Sequence, residues 1–332
     1  MSASFDTAYR TYRELANASL RTYLKEGDQP RLKAAMKWLP SAGGKRMRPV
    51  LVQMVAQAIG GERAAQAALP VGVALETIHN FTLVHDDIMD RSELRRKRPT
   101  VHVRWDEATA INAGDGLFAR SFEILVDTPV GVEMKVEIVR KVATMVRRIA
   151  EGQQMDMEFE DGARPPSEAR YVKMIEKKTA LMFSTAAYCG ARVAGAPLGL
   201  AEELEAYGRW VGIAFQIQDD LLDLGALQAK LGKPSGKDIR NGKRTVMAIW
   251  SLRRLQGDDL RAFRRVLGNQ RASRGEVAKA VRLMEKCGAL AHARQLADRH
   301  AIVAKASLRV LPPGKGKDHL TEFVDLATTR SS

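Results

Sequence analysis

Cysteine is nearly absent from this 332-residue chain: only Cys189 and Cys287 occur, both in apolar or helical-looking stretches. Two such residues cannot build a disulfide framework, so free thiols in a reducing cytoplasm are the expected state. Aromatic residues are scarce at 6%, and runs rich in Val, Ile, Thr and aromatics, the mark of strands, are few. No stretch approaches ~18 uninterrupted apolar residues, so no transmembrane helix is expected. The opening MSASFDTAYRTYRELANASL lacks a basic segment followed by an apolar one and does not read as a secretory signal. Acid is also in deficit: 53 Lys and Arg face 39 Asp and Glu, a net charge of +14. That excess attracts anions, which leaves nucleic acid, an anionic membrane surface and phosphorylated small molecules open.

What is abundant favours helices: Ala, Leu, Met, Arg and Glu, within a 45% hydrophobic fraction large enough for a buried core. Apolar positions recur at spacings of three and four over 3–26, 46–60, 65–90, 106–126, 132–160, 167–194, 200–224 and 242–256, which predicts helices there. A basic helical stretch follows to about Val310, and Pro312–Lys317 separates it from a last short helix. No fixed-period repeat or low-complexity linker interrupts the series. The expectation is a single all-α domain over residues 1–332. VGVALETIHNFTLVHDDIMD and GRWVGIAFQIQDDLLDL are apolar nearly all round, as helices at the centre of a bundle are.

Those two segments end in acid. Asp86, Asp87 and Asp90 form one DDxxD cluster, and Asp219, Asp220 and Asp223 a second. Residues four apart share a helix face, so Asp86 lies beside Asp90 and Asp219 beside Asp223. Like charges at that spacing destabilise a helix, and carboxylates at its C-terminal end also oppose its dipole. Acidic residues at helix ends are commonly just solvated, but two such clusters, each closing a long apolar helix, call for a compensating cation. Oxygen-only ligands suit Mg²⁺, which commonly binds through one or two carboxylates plus substrate phosphates.

Cations sit beside each cluster. Gly43-Gly44-Lys45-Arg46-Met47-Arg48-Pro49 is a glycine-hinged basic turn before a helix, a favourable place for anions. Arg91, Arg95, Arg96, Lys97 and Arg98 follow the first acidic cluster, and Lys177 and Lys178 precede Thr179. The loop from Gly232 through Lys233, Lys237, Asp238, Arg240 and Lys243 to Arg244 follows the second cluster. Arginine forks suit bidentate phosphate contacts, and lysine acts as a point charge. The repeated order, acidic cluster then cations at the ends of apolar helices, is what metal-bridged diphosphate binding beside a hydrocarbon pocket requires.

The motifs GGKRMRP, HDDIMDRSELRRKRPTVH, GQQMD, KKT, FQIQDDLLD and GKPSGKDIRNGK, in this order over about 40–245, resemble those of the trans-isoprenyl diphosphate synthases, the polyprenyl synthetase family. The resemblance implies an all-α bundle around a central hydrophobic cavity, and elongation of an allylic diphosphate (dimethylallyl, geranyl or farnesyl) with isopentenyl diphosphate. It implies Asp86, Asp90 and Asp219 as the main Mg²⁺ ligands, with Asp87, Asp220 and Asp223 supporting through metal-bound water. Arg95, Lys178, Lys233 and Lys243 then bind the allylic diphosphate, and Lys45, Arg48, His79 and Arg96 the isopentenyl diphosphate. Thr179, Gln216 and Asp238 line the reaction centre, with Gln153 and Asp156 nearby. A cytoplasmic homodimer is expected on the same ground. A terpene cyclase shares the first DDxxD, but the second cluster here is DDLLD, and GGKRMRP would have no use there. A regulatory subunit of a synthase usually lacks motif aspartates or cations, and none is missing. A nucleic-acid binder could use the +14 charge, yet no binding motif or interleaved aromatics occur.

The growing chain should run between helices below the first acidic cluster. Phe81 precedes Asp86 by five residues, about 7.5 Å along a helix, and its neighbour Thr82 is small. By resemblance that pattern belongs to short-chain, geranylgeranyl-type enzymes and points to a C20 product, with C15 as the alternative. Phe81→Ala should lengthen the product; an unchanged profile of chain lengths would remove Phe81 as the floor.

Overall fold

Short polar side chains start the helices. Ser2, Asp106, Ser167, Thr245 and Ser273 each accept a hydrogen bond from the backbone N–H three residues on, which satisfies one of the donors a helix start leaves open. Ser273 and Glu276 complete a reciprocal capping box. The structure, a computed structural model, describes residues 1–161, 165–229 and 236–329, with the side chains of 161 and 225–229 excepted.

In chain order the first helices are α1 (Ala3–Tyr23), α2 (Pro30–Ser41), α3 (Met47–Ala67), α4 (Leu69–Met89), α5 (Val101–Arg104) and α6 (Glu107–Val126). There follow α7 (Val132–Asp161), α8 (Glu168–Ile175), a π-helical segment (Glu176–Ala180), α9 (Leu181–Val193) and α10 (Leu198–Ala229). The last are α11 (Lys237–Asn241), α12 (Val246–Arg254), α13 (Gly257–Val266), α14 (Arg274–Lys286), α15 (Ala289–Ser307) and α16 (Lys315–Thr328). Among the described residues the only strands are β1 (Leu94–Arg95) and β2 (Arg98–Pro99), an antiparallel pair. The expected all-α class is therefore observed. Several expectations differ: α10 runs to Ala229, so the second acidic cluster lies inside that helix and not at its end, α2 forms where no helix was expected, and α11 forms within the expected basic loop. The break at Gly60–Gly61 is a kink inside α3, where Gly61 takes a φ of 72° before the helix resumes. The helix expected over 167–194 is α8 and α9 joined through the π segment.

The chain packs as two compact units. Unit 1 comprises Met1–Val146, Thr185–Glu205 and Val310–Phe323; unit 2 comprises Arg147–Ser184, Ala206–Arg309 and Val324–Ser332. The divisions fall within helices, not in linkers, so composition does not mark them.

In unit 1, α4 is buried nearly all round, with Val71, Val73, Ala74, Leu75, Ile78 and Val84 at 1% exposure or less, as its apolar sequence predicts. Helix α6 packs along it, with α3 and α1 alongside. Gly72 allows the approach of α3: a Cβ there would lie 2.9 Å from Pro49 Cα. No single helix is long and apolar enough to cross a membrane; α3 and α4 reach that composition only together, across a 78° bend.

Unit 2 has its own core, including Phe159, Tyr171, Ile175, Ile213, Ile217, Phe263 and Met284. Its tightest packing surrounds the π segment. A Cβ at Gly152 of α7 would come 2.5 Å from Lys178 N, and one at Gly212 of α10 would come 2.5 Å from Ala180 Cα. Two helices thus press backbone-close on five residues whose hydrogen-bond register is already irregular, a feature of functional sites. Gly212→Ala should lower stability by about 1–3 kcal/mol through overpacking, read as a lower thermal midpoint; an unchanged midpoint would contradict the close approach.

Candidate active site

Unit 1 carries the first acidic cluster at the end of α4. Asp86 and Asp90 are half-buried, one turn apart, and Asp90 N donates to Asp86 O at 2.8 Å. Asp87 points the other way. It is 2% exposed, and its Oδ1 accepts from Arg95 Nε at 2.7 Å. The supporting metal role expected of Asp87 and the diphosphate role expected of Arg95 thus meet an ion pair between the two. Beyond Asp90, the chain turns through β1 and β2 with Arg96 and Lys97 at φ 50° and 62°. Two consecutive left-handed residues give the primed turn that suits a tight hairpin, where Asn-Gly is the usual choice. Trp38 of α2 fixes this hairpin, its Nε1 donating to Pro99 O at 2.8 Å while Arg98 lies over its ring at 5.1 Å.

Among the described residues, the non-glycine residues with left-handed φ are Arg46, Arg91, Arg96 and Lys97. All four are cations of the basic motifs. The conformation costs about 1–2 kcal/mol per residue for an ordinary side chain, so the fold holds charged side chains where glycine would be easier.

The cations converge on α4. His79 is flanked by Arg48, Arg96, Arg95 and Arg46, and burial together with those charges holds its imidazole well below its usual pKa, hence neutral. Arg96 donates to the carbonyls of Leu39, at 3.3 Å, and of Gly43. Lys45 is set by its backbone, since Tyr9 Oη donates to Lys45 O at 2.6 Å. Four of the residues expected to bind isopentenyl diphosphate, Lys45, Arg48, His79 and Arg96, therefore lie on or against neighbouring parts of unit 1. Two residues beyond His79 on α4, the Phe81 ring lies 5.2 Å from Phe118 and 5.3 Å from His85, and Phe118 packs in turn on Phe122 at 5.1 Å. Thr82 Oγ1 donates to His79 O at 3.0 Å. The sequence pattern had not singled out Phe118, whose only signal is its i,i+4 pairing with Phe122 on α6.

Unit 2 carries the second cluster as part of a hydrogen-bonded chain. Thr179 Oγ1 donates to Gln216 Oε1 at 2.8 Å, and Gln216 Nε2 donates to Asp220 Oδ1 at 2.8 Å. Tyr171 Oη donates to Asp220 Oδ2 at 2.7 Å. Lys178 Nζ reaches Asp156 Oδ2 at 2.6 Å, Lys243 Nζ lies 3.8 Å from Asp238 Oδ1, and Asp238 N donates to Asp223 Oδ2 at 3.3 Å. These contacts make three groups, Thr179–Gln216–Asp220–Tyr171, Lys178–Asp156 and Lys243–Asp238–Asp223, close enough for the charge of Asp238 to act on Asp220 and that of Asp156 on Asp238. Asp219 contributes through its charge, and Gln153 lies three residues before Asp156 on α7. Lys233 lies outside the described residues. Tyr171 is the residue the sequence did not reveal; its contact with Asp220 spans 49 positions.

Carboxylates gathered this way resist ionisation. Burial, and then the charge of Asp238, push Asp220 up to about 8 despite the bonds from Tyr171 and Gln216. Burial and Asp238 push Asp223 up to about 6. Asp238 itself is raised by burial, against the opposing pull of Lys243. Among the described residues, no three His, Cys, Asp or Glu side chains converge as a ready-made metal site. The donor set fits a hard cation nonetheless: it is all oxygen, and Mg²⁺ characteristically takes few protein ligands.

Residues 29–284 match the family model described as Polyprenyl synthetase. The chain is 40% identical over 299 residues to a geranylgeranyl diphosphate synthase of Methanosarcina mazei, covering 89% of each chain. Among solved structures, it resembles geranylgeranyl pyrophosphate synthetase from Pyrococcus horikoshii, with a TM-score of 0.90, 35% identity, and coverage of 99% of this chain and 98% of that one. It also resembles a polyprenyl synthase from Caulobacter crescentus complexed with calcium and isoprenyl diphosphate, with a TM-score of 0.88, 32% identity, and coverage of 100% of this chain and 99% of that one.

The raised carboxylates fix a sign for pH dependence. Between the ordinary carboxylate range and about 8, the folded metal-free chain binds more protons at Asp220 and Asp223 than the unfolded chain does. Their contribution is present at low pH and is lost as pH rises through that window. In chelator, these groups should lower the thermal midpoint on going from pH 6 to pH 8.5. Added Mg²⁺ should raise the midpoint more at pH 8.5 than at pH 6, since binding displaces protons. A Mg²⁺ effect equal at both pH values would count against metal binding at these carboxylates.

Proposed function

The chain belongs to the polyprenyl synthetase family, and on that premise we propose that it is a prenyltransferase condensing isopentenyl diphosphate with an allylic diphosphate to geranylgeranyl diphosphate. The family match spans both acidic clusters, the basic hairpin and the Lys-Lys-Thr segment, and that conjunction is the observation on which the reading rests.

In this reading Asp86, Asp90 and Asp219 hold Mg²⁺, which supplies Lewis-acid stabilisation to the departing diphosphate. Asp87 and Asp220 act from behind. Arg95 holds Asp87 Oδ1, and Tyr171 and Gln216 hold both oxygens of Asp220, so they orient the neighbouring carboxylates. Lys178, Lys243, Lys233 and Arg95 neutralise charge on the allylic diphosphate as its carbon–oxygen bond breaks, with Lys178 held in place by Asp156. Thr179 and Gln216, locked together at 2.8 Å, present oxygen dipoles to the allylic cation. Lys45, Arg48, Arg96 and neutral His79 hold isopentenyl diphosphate, whose double bond attacks that cation. The proton lost in closing the new alkene passes to the released pyrophosphate. Apolar helix walls exclude water, which would otherwise quench the cation. Phe81, propped by Phe118, stops the chain at C20.

The active form in this reading is a cytoplasmic homodimer working as one catalytic domain. In support of a second copy, Val103, Ile111, Val126, Val132 and Val136 on α5, α6 and α7 are each 43% exposed or more, an apolar set that a monomer would leave in water.

Purified protein incubated with Mg²⁺, labelled isopentenyl diphosphate and farnesyl diphosphate should yield a C20 alcohol after dephosphorylation, and none in excess chelator. A C15 product from dimethylallyl or geranyl diphosphate, with none beyond it, would keep the reaction and overturn the chain length. Folded protein that elongates no allylic diphosphate would overturn the reading.

A further inference from the structure

Arg46 stands in the basic motif but is not placed like a ligand-binding residue. It is 4% exposed, and its guanidinium is committed on every side. Nη1 donates to Glu76 Oε1 at 2.7 Å, Nε to Asn17 Oδ1 at 2.8 Å, and Nη2 to Pro40 O at 2.6 Å. Those partners belong to α4, α1 and α2. Glu76 is equally inaccessible at 3% exposure, and among the described residues its Oε2 accepts no hydrogen bond. The backbone of Arg46 is held left-handed, at φ 53° and ψ 35°, where it starts α3. The pair thus combines a buried charge pair, an unsatisfied carboxylate oxygen and a costly backbone conformation. Stability alone is a poor reason for such an arrangement, because apolar residues of similar volume commonly replace a buried ion pair at no loss.

Its position supplies a better reason. Lys45 precedes Arg46 and Arg48 follows it in the first turn of α3, so the conformation of Arg46 sets where both side chains begin. Glu76 lies three residues before His79 on α4, a spacing that makes them neighbours on the helix surface. Around His79, the guanidinium groups of Arg46, Arg48, Arg95 and Arg96 face the carboxylates of Glu76 and Asp87. Arg46 is matched by Glu76, and Arg95 by Asp87.

We propose that Arg46 and Glu76 form a positioning pair: without touching ligand, they dock the Gly43–Arg48 turn on α4 and so place Lys45 and Arg48 beside His79 for isopentenyl diphosphate. The inference rests on the reading of Lys45, Arg48, His79 and Arg96 as the isopentenyl diphosphate site. It predicts a defect in one substrate only, since the allylic diphosphate is assigned to other residues.

The test is steady-state kinetics with isopentenyl diphosphate and farnesyl diphosphate varied separately, on wild type, Glu76→Gln and the apolar double variant Arg46→Met/Glu76→Leu. The expected result is a KM for isopentenyl diphosphate raised about tenfold or more, as small misplacement of binding groups commonly produces. The KM for farnesyl diphosphate should stay within about twofold, and the defect should persist in the double variant at a wild-type thermal midpoint. Asn17→Ala, which frees one edge of the guanidinium and leaves the ion pair, should shift the same constant in the same direction if the double variant does not fold. A stable double variant with wild-type KM for isopentenyl diphosphate overturns the proposal, as does a parallel rise in both KM values. Wild-type protein that performs no condensation overturns the functional reading instead, and the two failures are distinct.

Discussion

Tyr171 and Gln216 each donate a hydrogen bond to Asp220, and the arrangement of unit 2 depends on that carboxylate being held where ionisation is unfavourable. Burial there pushes Asp220 up to about 8, and the two bonds pull it back toward the charged form. The two donors hold α8 and α10 to one point, and Gln216 passes the constraint on to Thr179 in the π segment. Lys178 is tied from the same segment to α7 through Asp156. The glycines that let α7 and α10 meet this segment serve the same end, since a methyl group at either contact would separate the partners. Packing and chemistry are one arrangement here.

Unit 1, beside its own acidic cluster, gathers arginines under the same kind of constraint. Burial and the crowded arginines hold the pKa of His79 well below its usual value, and Glu76 and Asp87 of α4 pair with Arg46 and Arg95. In the proposed reaction a cation would bind at the aspartates and a diphosphate at the arginines. This is preorganisation in its electrostatic sense, in which the protein meets the repulsion on folding and substrates then bind without reorganising their surroundings.

Much of this was legible in the chain. Spacings of three and four predicted the helices, and the apolar run ahead of each acidic cluster predicted a buried helix ending in charge, as α4 shows. Three features were hidden for physical reasons. The π segment leaves no mark on hydrophobic periodicity, because it shifts the register by a single residue. Tyr171 and Glu76 act through contacts with residues 49 and 30 positions away, and no local pattern encodes such a partner. Arg46 read as one more cation of a basic turn, since burial cannot be seen in a run of like charges. The division into two units was equally silent, because it cuts through helices.

The left-handed arginines and lysine around α4 bear on how this protein can change. At such positions glycine is the residue that relaxes the backbone. A selection that rewarded heat resistance alone would therefore favour losing the charged side chains at Arg46, Arg96 and Lys97. The same selection run with turnover as a second requirement would hold them. The conformational cost retained at these positions measures how far the native sequence has been shaped by use and not by durability.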